Sequence, residues 1–336
     1  MPIHGALQEL KGTEIDEKMR DGAAVPQLKG TEAISMVWNA AEGLRLPRVE
    51  VNERWTEIQG QRMRFLEAGT GLPLLLIHGL LGGSFCWRFV MPALTPRFRV
   101  HAVDLPGAGL SDDVGVDCSM SRQAERLNGF IEQMGWNEVT LVATSFGGAI
   151  ALLTAAKDLE RVGRVRSLVL SSPVNPWSDF GQRRIRFLSS RLGGYFLRTV
   201  LPISRPCHGI ALRRMYADPA CVPADALEGY RASVLRRGRA QNVLTTLRAW
   251  QRDLARLRDA IPKLRIPTLL IWGARDKAVD PRSGAALQKH LPNSELKLIQ
   301  GAGHLPFEEK PEEFNRLTLE FLAKALSNPI QADPLA

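Results

Sequence analysis

From Arg48 onward the chain alternates short apolar runs with stretches of helical repeat, and that alternation sets its architecture. The strand-like runs are Val49 to Ile58, Met63 to Glu67, Leu74 to His78, Arg99 to Asp104, Glu138 to Thr144, Val165 to Ser171, Thr268 to Trp272 and Glu295 to Gln300. The last six are rich in Leu, Val and Ile along their length, whereas a strand with one wet face would alternate apolar and polar positions. Strands of this kind are buried on both faces of a mostly parallel sheet, and the helices between them supply the covering layers. The first two runs are more polar and predict an antiparallel edge hairpin, turned at Gln59 to Gln61. The expected fold class is α/β, with a mostly parallel eight-stranded sheet flanked by helices.

One interval breaks the alternation. Between Pro173 and Pro262 there is no convincing strand, but Ile185, Leu188, Leu192, Phe196 and Val200 recur at helical spacing, which predicts a helical insertion between two strands. Residues 1–47 are polar, lack a sustained period and contain Leu-Lys-Gly-Thr-Glu twice, at Leu10 to Glu14 and Leu28 to Glu32. Two copies do not make a repeat architecture. The segment reads as an arm docked on the surface, with a short helical pattern around Thr31 to Ala41. The predicted organisation is an arm at 1–47, a core formed by 48–172 and 263–327, the insertion at 173–262 and a tail at 328–336.

The 336 residues are 45% hydrophobic and 24% charged, which excludes a disordered or collagen-like chain. A chain of this length buries a sizeable core without covalent staples. Cys86, Cys118, Cys207 and Cys221 show no CxxC spacing, and the first residues hold no apolar run behind a basic start. These features speak against a structural zinc site and a secretory signal, and predict a cytoplasmic protein with reduced thiols. No stretch reaches the roughly 18 consecutive apolar residues of a membrane span. The net charge of +9 is concentrated in the insertion, where 16 Arg and no Lys stand against six acidic residues. No nucleic-acid motif accompanies that charge, so nucleic acid is set aside as a partner.

The segment Val139-Thr-Leu-Val-Ala-Thr-Ser-Phe-Gly-Gly-Ala-Ile carries an apolar strand directly into a small-x-Ser-x-Gly turn and then a helix. Such a turn holds its serine in strained backbone geometry, and the residues two before and two after must be small for strand and helix to pass closely. Ala143 and Gly147 meet that need. Ser145 is then presented at the C-terminal end of the sheet, beside the N–H groups of a helix start that suit a developing oxyanion. An activated serine needs a general base, and the base needs an acid that fixes its tautomer.

On these residues the chain resembles the α/β-hydrolase family, in its serine-nucleophile branch with a helical cap, over nearly all of residues 50–325. His78-Gly-Leu-Leu-Gly-Gly looks like the family's oxyanion loop, which implies the backbone N–H groups of Leu80 and Phe146 as the oxyanion hole and a loop-shaping role for His78. Asp104-Leu-Pro-Gly-Ala-Gly-Leu-Ser is similar to the turn after the following strand, where Gly107 and Gly109 are structural by analogy. Leu269-Leu-Ile-Trp-Gly-Ala-Arg-Asp resembles the acid loop and implies Asp276 as the acid, ahead of Asp280. Gly301-Ala-Gly-His-Leu-Pro-Phe-Glu-Glu-Lys-Pro resembles the histidine loop and implies His304 as the base, while His4, His101, His208 and His290 read as structural or solvated. Two departures from the family pattern are Ala143, where Gly is more usual, and Thr144, where His is common.

The family's dehalogenase and epoxide-hydrolase branches attack with an aspartate at this turn, the nucleophile elbow, so the resemblance with Ser145 there implies acyl chemistry on a small-molecule ester with no metal or organic cofactor. The same triad serves carbon–carbon bond hydrolases, acyltransferases and perhydrolases, and it persists in slow-turnover ligand-binding members. The insertion matches the position of the family's cap. Thr144, Trp177, Phe180 and Trp250 are candidate pocket residues, with Phe187, Phe196 and Tyr216 behind them, although packing of cap helices explains the aromatics equally well. The Arg-rich stretch Arg183 to Leu201 has three readings: solvated helix surface, attraction of carboxylate-bearing substrates, and peripheral contact with an anionic membrane.

Overall fold

The computed structural model describes residues 34–38, 49–112, 115–178, 182–200, 205–236 and 238–327. Its strands are β1 (Ile34–Trp38), β2 (Val49–Ile58), β3 (Gln61–Ala68), β4 (Leu72–Ile77), β5 (Phe98–Val103), β6 (Val139–Thr144), β7 (Val165–Ser171), β8 (Thr268–Gly273) and β9 (Ser294–Ile299). They form one sheet in the order β1-β2-β3-β5-β4-β6-β7-β8-β9. The six strands from β4 to β9 run parallel, and β1, β2 and β3 pair antiparallel at one edge. All eight expected strands are present. The hairpin turns through Gln59 and Gly60, whose φ values of 52° and 75° let Ile58 pair directly with Gln61.

β1 is an addition to that set and a correction. Where the pattern around Thr31 to Ala41 suggested a short helix, Ile34–Trp38 is a strand, paired with β2 from Ile34↔Glu53 to Trp38↔Val49. An isolated short helix is marginal in water, whereas the open edge of β2 offers a row of unpaired backbone groups. The remainder of the 1–47 arm, Phe180 and the 328–336 tail lie outside the described residues.

Alternation along the central strands sends successive side chains into two cores. Leu75, Ile77, Leu141, Ala143 and Leu168 enter one, while Leu74, Leu76, Val142 and Val169 enter the other with Trp87, Phe307 and Phe314. The first core is covered by α1 (Met120–Gln133), α2 (Phe146–Leu159) and the long final helix of the insertion. Both sheet faces are therefore dry at the central strands, which is why these lack a polar alternation. The expected burial fails at the edge strand β9, where Lys297 and Leu298 are exposed because no further strand or layer among the described residues covers them.

Between β7 and β8 the described chain is helical: α3 (Gln182–Ser189), α4 (Arg191–Val200), α5 (Arg205–Met215), α6 (Ala226–Val234) and α7 (Arg239–Ala260). The core resumes with β8, α8 (Pro281–His290), β9 and α9 (Pro311–Ser327). The C-terminal ends of the central strands are laced together, since Ser145 N–H donates to Ser171 O, Ser172 N–H to Ile271 O and Ala274 N–H to Ile299 O, each at 2.9 Å. The loops that follow β6, β8 and β9 consequently leave the sheet along one edge.

Candidate active site

Ser145 occupies the turn between β6 and α2 with φ 53° and ψ −120°. A non-glycine residue held there costs about 1 to 3 kcal/mol, so its surroundings must enforce it. They do so through the Ser145 carbonyl, which accepts from the N–H groups of Gly148, Ala149 and Val174 at 3.0, 3.4 and 2.9 Å. At Gly147 an added Cβ would stand 2.3 Å from the His78 carbonyl oxygen, so only glycine lets α2 pass the end of β4. Ala143, fully buried in register with Ile77 and Leu170, fits without the missing glycine of the usual pattern.

The loop after β4 passes over the serine, because a Cβ on Gly79 would lie 3.2 Å from Ser145 Cβ. His78 shapes this loop. Its Nδ1–H donates to Gly79 O at 2.8 Å and its Nε2 accepts from Leu105 N–H at 3.1 Å, and burial pushes its pKa down, so the ring is a neutral tautomer bridging two loops. Among the described residues no turn or loop carbonyl accepts from the N–H of Leu80 or Phe146. As the first residue of α2, Phe146 also has no acceptor within its own helix.

Asp276 and His304 meet. His304 Nδ1 donates to Asp276 Oδ2 at 2.8 Å, while Asp276 Oδ1 accepts from Ala278 and Val279 N–H at 2.7 and 2.9 Å. Both side chains are buried, and among the described residues no hydrogen bond engages His304 Nε2, from Ser145 or from any other group. Asp280 has another task, capping α8 through Arg282 N–H and pairing with the exposed Arg282 side chain.

The insertion reaches into this site. His304 N–H donates to the Met215 carbonyl at the end of α5 at 2.6 Å, and Glu309 accepts from both Gly303 and Ala217 N–H at 2.7 Å. Beside it, the Glu308 carboxylate is fully enclosed by Arg88 at 3.0 and 3.2 Å and by the hydroxyls of Tyr216 and Tyr230, each at 2.5 Å. Burial works against the Arg88 charge, but facing Glu308 outweighs it and raises the guanidinium above its ordinary value. Burial, reinforced by the Glu308 charge, pushes both phenols up as well. Arg88, Glu308 and Glu309 were not among the residues expected at the site, although both glutamates fall inside the motif that resembles the histidine loop.

The candidate pocket residues scatter. Trp250 stacks on Phe146, with ring centroids 6.1 Å apart, and so stands next to the elbow. Trp177 stacks on His290 of α8 at 4.2 Å, Tyr216 belongs to the Glu308 cluster, and Phe187 and Phe196 face outward. Thr144 is buried, and its hydroxyl has no hydrogen-bond partner among the described residues. A cavity of about 20 Å³, lined by Leu80, Phe146, Asn242, Val243 and Thr246, adjoins the loop after β4 and has room for about one water. Among the described residues no group of three His, Cys, Asp or Glu side chains is placed to hold a metal ion. No described helix is long and apolar enough to cross a membrane.

The family profile described as alpha/beta hydrolase fold matches residues 73–311. A haloalkane dehalogenase from Mycobacterium bovis is 29% identical over 287 residues, covering 80% of this chain and 93% of its own. A pimeloyl-[acyl-carrier protein] methyl ester esterase from Aeromonas hydrophila is 29% identical over 261 residues, covering 76% and 96%. The crystal structure of a membrane phospholipase A superposes with a TM-score of 0.69 at 27% identity, covering 83% of this chain and 87% of that one.

Proposed function

The chain belongs to the alpha/beta hydrolase fold family, and from that premise we propose that it is a serine hydrolase cleaving a carboxylic ester through an acyl-enzyme. The observation that carries the reading is the Asp276–His304 pair, standing on the same sheet edge as a serine held at positive φ. His304 Nε2 takes the proton of Ser145 Oγ as the oxygen attacks the ester carbonyl. The N–H groups of Leu80 and Phe146 hold the resulting oxyanion, and Asp276 stabilises the imidazolium. Collapse expels the alcohol, which leaves with the proton from His304. A water activated by the same Nε2 then attacks the acyl-enzyme, and Ser145 recovers its proton as the acid departs.

Similarity to a dehalogenase does not move this reading, because the elbow carries serine and a halide displacement of that branch begins with a carboxylate. Similarity to a methyl ester esterase supports it. The helical insertion is proposed as a cap, with Trp250 and Phe146 framing the acyl side. No step requires a metal or organic cofactor, and the chemistry suits a cytoplasmic enzyme.

The test is steady-state hydrolysis of p-nitrophenyl esters from acetate to palmitate by the wild type and by Ser145→Ala, with fluorophosphonate labelling of both. Loss of the nucleophile is expected to lower kcat on the order of 10⁶-fold and to abolish labelling. Labelling of Ser145 without turnover on any ester would transfer the triad to carbon–carbon cleavage, acyl transfer or ligand binding. Absence of both from a folded protein would end the proposal.

A further inference from the structure

The hairpin of α3 and α4 has an inner face that the fold explains and an outer face that it does not. At Gly193 an added Cβ would lie 2.1 Å from the Phe187 carbonyl oxygen, so the two helices touch at backbone distance. Gly194 and Leu197 turn inward: a Cβ on Gly194 would meet the Leu244 side chain of α7 at 3.4 Å, and Leu197 is buried in the core. On the other side, Leu192, Tyr195 and Phe196 recur at helical spacing beside Phe187 of α3, and they are 69%, 64%, 50% and 51% exposed. Four large apolar side chains so exposed on two touching helices are a patch of the kind that marks an interaction surface.

The charge carried by the hairpin itself has one sign. Residues 180–217 contain eight Arg and no Lys, Asp or Glu. Arg186, Arg191 and Arg198 are exposed, and among the described residues no carboxylate pairs with them. An ordinary solvated helix face intersperses both signs.

We propose that the outer face of the α3–α4 hairpin docks on an anionic lipid surface. Phe187, Leu192, Tyr195 and Phe196 enter the headgroup boundary, and Arg186, Arg191 and Arg198 meet lipid phosphates. Two other occupants fit less well. A second copy packed symmetrically on this face would bring the same cations against each other. A nucleic acid would use the charge and leave the apolar stripe in water. The surface is independent of the Ser145 chemistry, so it stands or falls apart from the esterase reading.

Flotation of the full chain with vesicles tests it, comparing phosphatidylcholine alone with phosphatidylcholine and phosphatidylglycerol in equal parts. Wild type and Ser145→Ala are expected to float with the anionic vesicles alike, and to be released from them by salt. Leu192→Ser/Phe196→Ser and Arg191→Glu/Arg198→Glu are each expected to lower the bound fraction by about tenfold or more, with unchanged melting temperature. Failure of the wild type to float would overturn the proposal, as would binding indifferent to both double substitutions. Light scattering that showed a wild-type dimer, dissociated by Leu192→Ser/Phe196→Ser, would assign the face to a second copy and would equally overturn it.

Discussion

Replacing Glu308 with alanine should show how strongly the insertion is tied to the histidine loop. The substitution leaves Arg88 inside the protein with only the half-exposed Asp225 at 3.1 Å, and it removes the acceptor of two buried hydroxyls. Breaking a buried ion pair from one side costs about 3 to 5 kcal/mol, and each orphaned buried hydroxyl costs about 1 to 3 kcal/mol. Asp225 softens the first figure and relaxation softens the second, so a total of about 4 kcal/mol is expected. At roughly 2 °C per kcal/mol for a chain of this size, that is a melting temperature lower by ~8 °C. Urea unfolding of wild type, Arg88→Met, Glu308→Ala and the double variant closes a cycle. The double variant should fall short of the summed losses by about 1 to 3 kcal/mol, because Arg88 is not left uncompensated once both partners are gone. Additive losses, or a single-variant loss below about 1 kcal/mol, would refute the reasoning. Since Tyr216 follows the residue whose carbonyl holds His304 N–H, ester turnover by Glu308→Ala should fall even where the protein remains folded.

Gly147→Ala should fail to reach a stable fold or lose about 3 kcal/mol or more, because its Cβ meets the His78 carbonyl; urea unfolding reads the loss. Thr144→Val should keep or raise stability by about 1 kcal/mol, since the buried hydroxyl it removes has no partner among the described residues. His78 and His101 are both pushed below the ordinary 6.5 by burial, so the unfolded chain binds protons that the folded one refuses. Stability is therefore full above about 6.5 and declines as pH falls below it. His101→Phe, in a site already flanked by Phe65 and Trp136, should flatten that decline in a series of denaturation midpoints against pH.

The central strands were legible because burial on both faces imposes a composition no loop shares, and their ends fell within two residues of the expected positions. The site loops were legible because each turn constrains its own neighbours: Gly147 answers to His78, and Ser145 to the N–H groups that clasp its carbonyl. What escaped were contacts whose partners lie far apart in the chain. Glu308 meets Arg88 and Tyr216 only after the sheet and insertion have folded, so nothing around residue 308 announces a buried carboxylate. β1 escaped for the same reason. Ile34, Val37 and Trp38 suit a strand, but only the neighbouring edge of β2 decides between that and a helical turn. The aromatics of the insertion were ambiguous because helix packing, ring stacking and exposure draw on the same residue types.

The chain leaves β7 at Ser171 and returns at Thr268 on the adjacent strand, with Ser172 N–H bonded to Ile271. Closing such an excursion costs only about 0.6 kcal/mol for each doubling of its length. The length of the excursion therefore taxes the sheet little, but part of its content is fixed, since α7 covers one sheet face and Val174 N–H clasps the Ser145 carbonyl. The ties nearest His304 come from one tripeptide, Met215-Tyr216-Ala217, whose carbonyl, phenol and amide clasp His304, Glu308 and Glu309. A transplanted segment that preserved those three groups would be expected to keep the backbone and side-chain ties of His304, Glu308 and Glu309. One that omitted them would be expected to leave the His304 N–H without its acceptor, even where the helices that cover the sheet were retained.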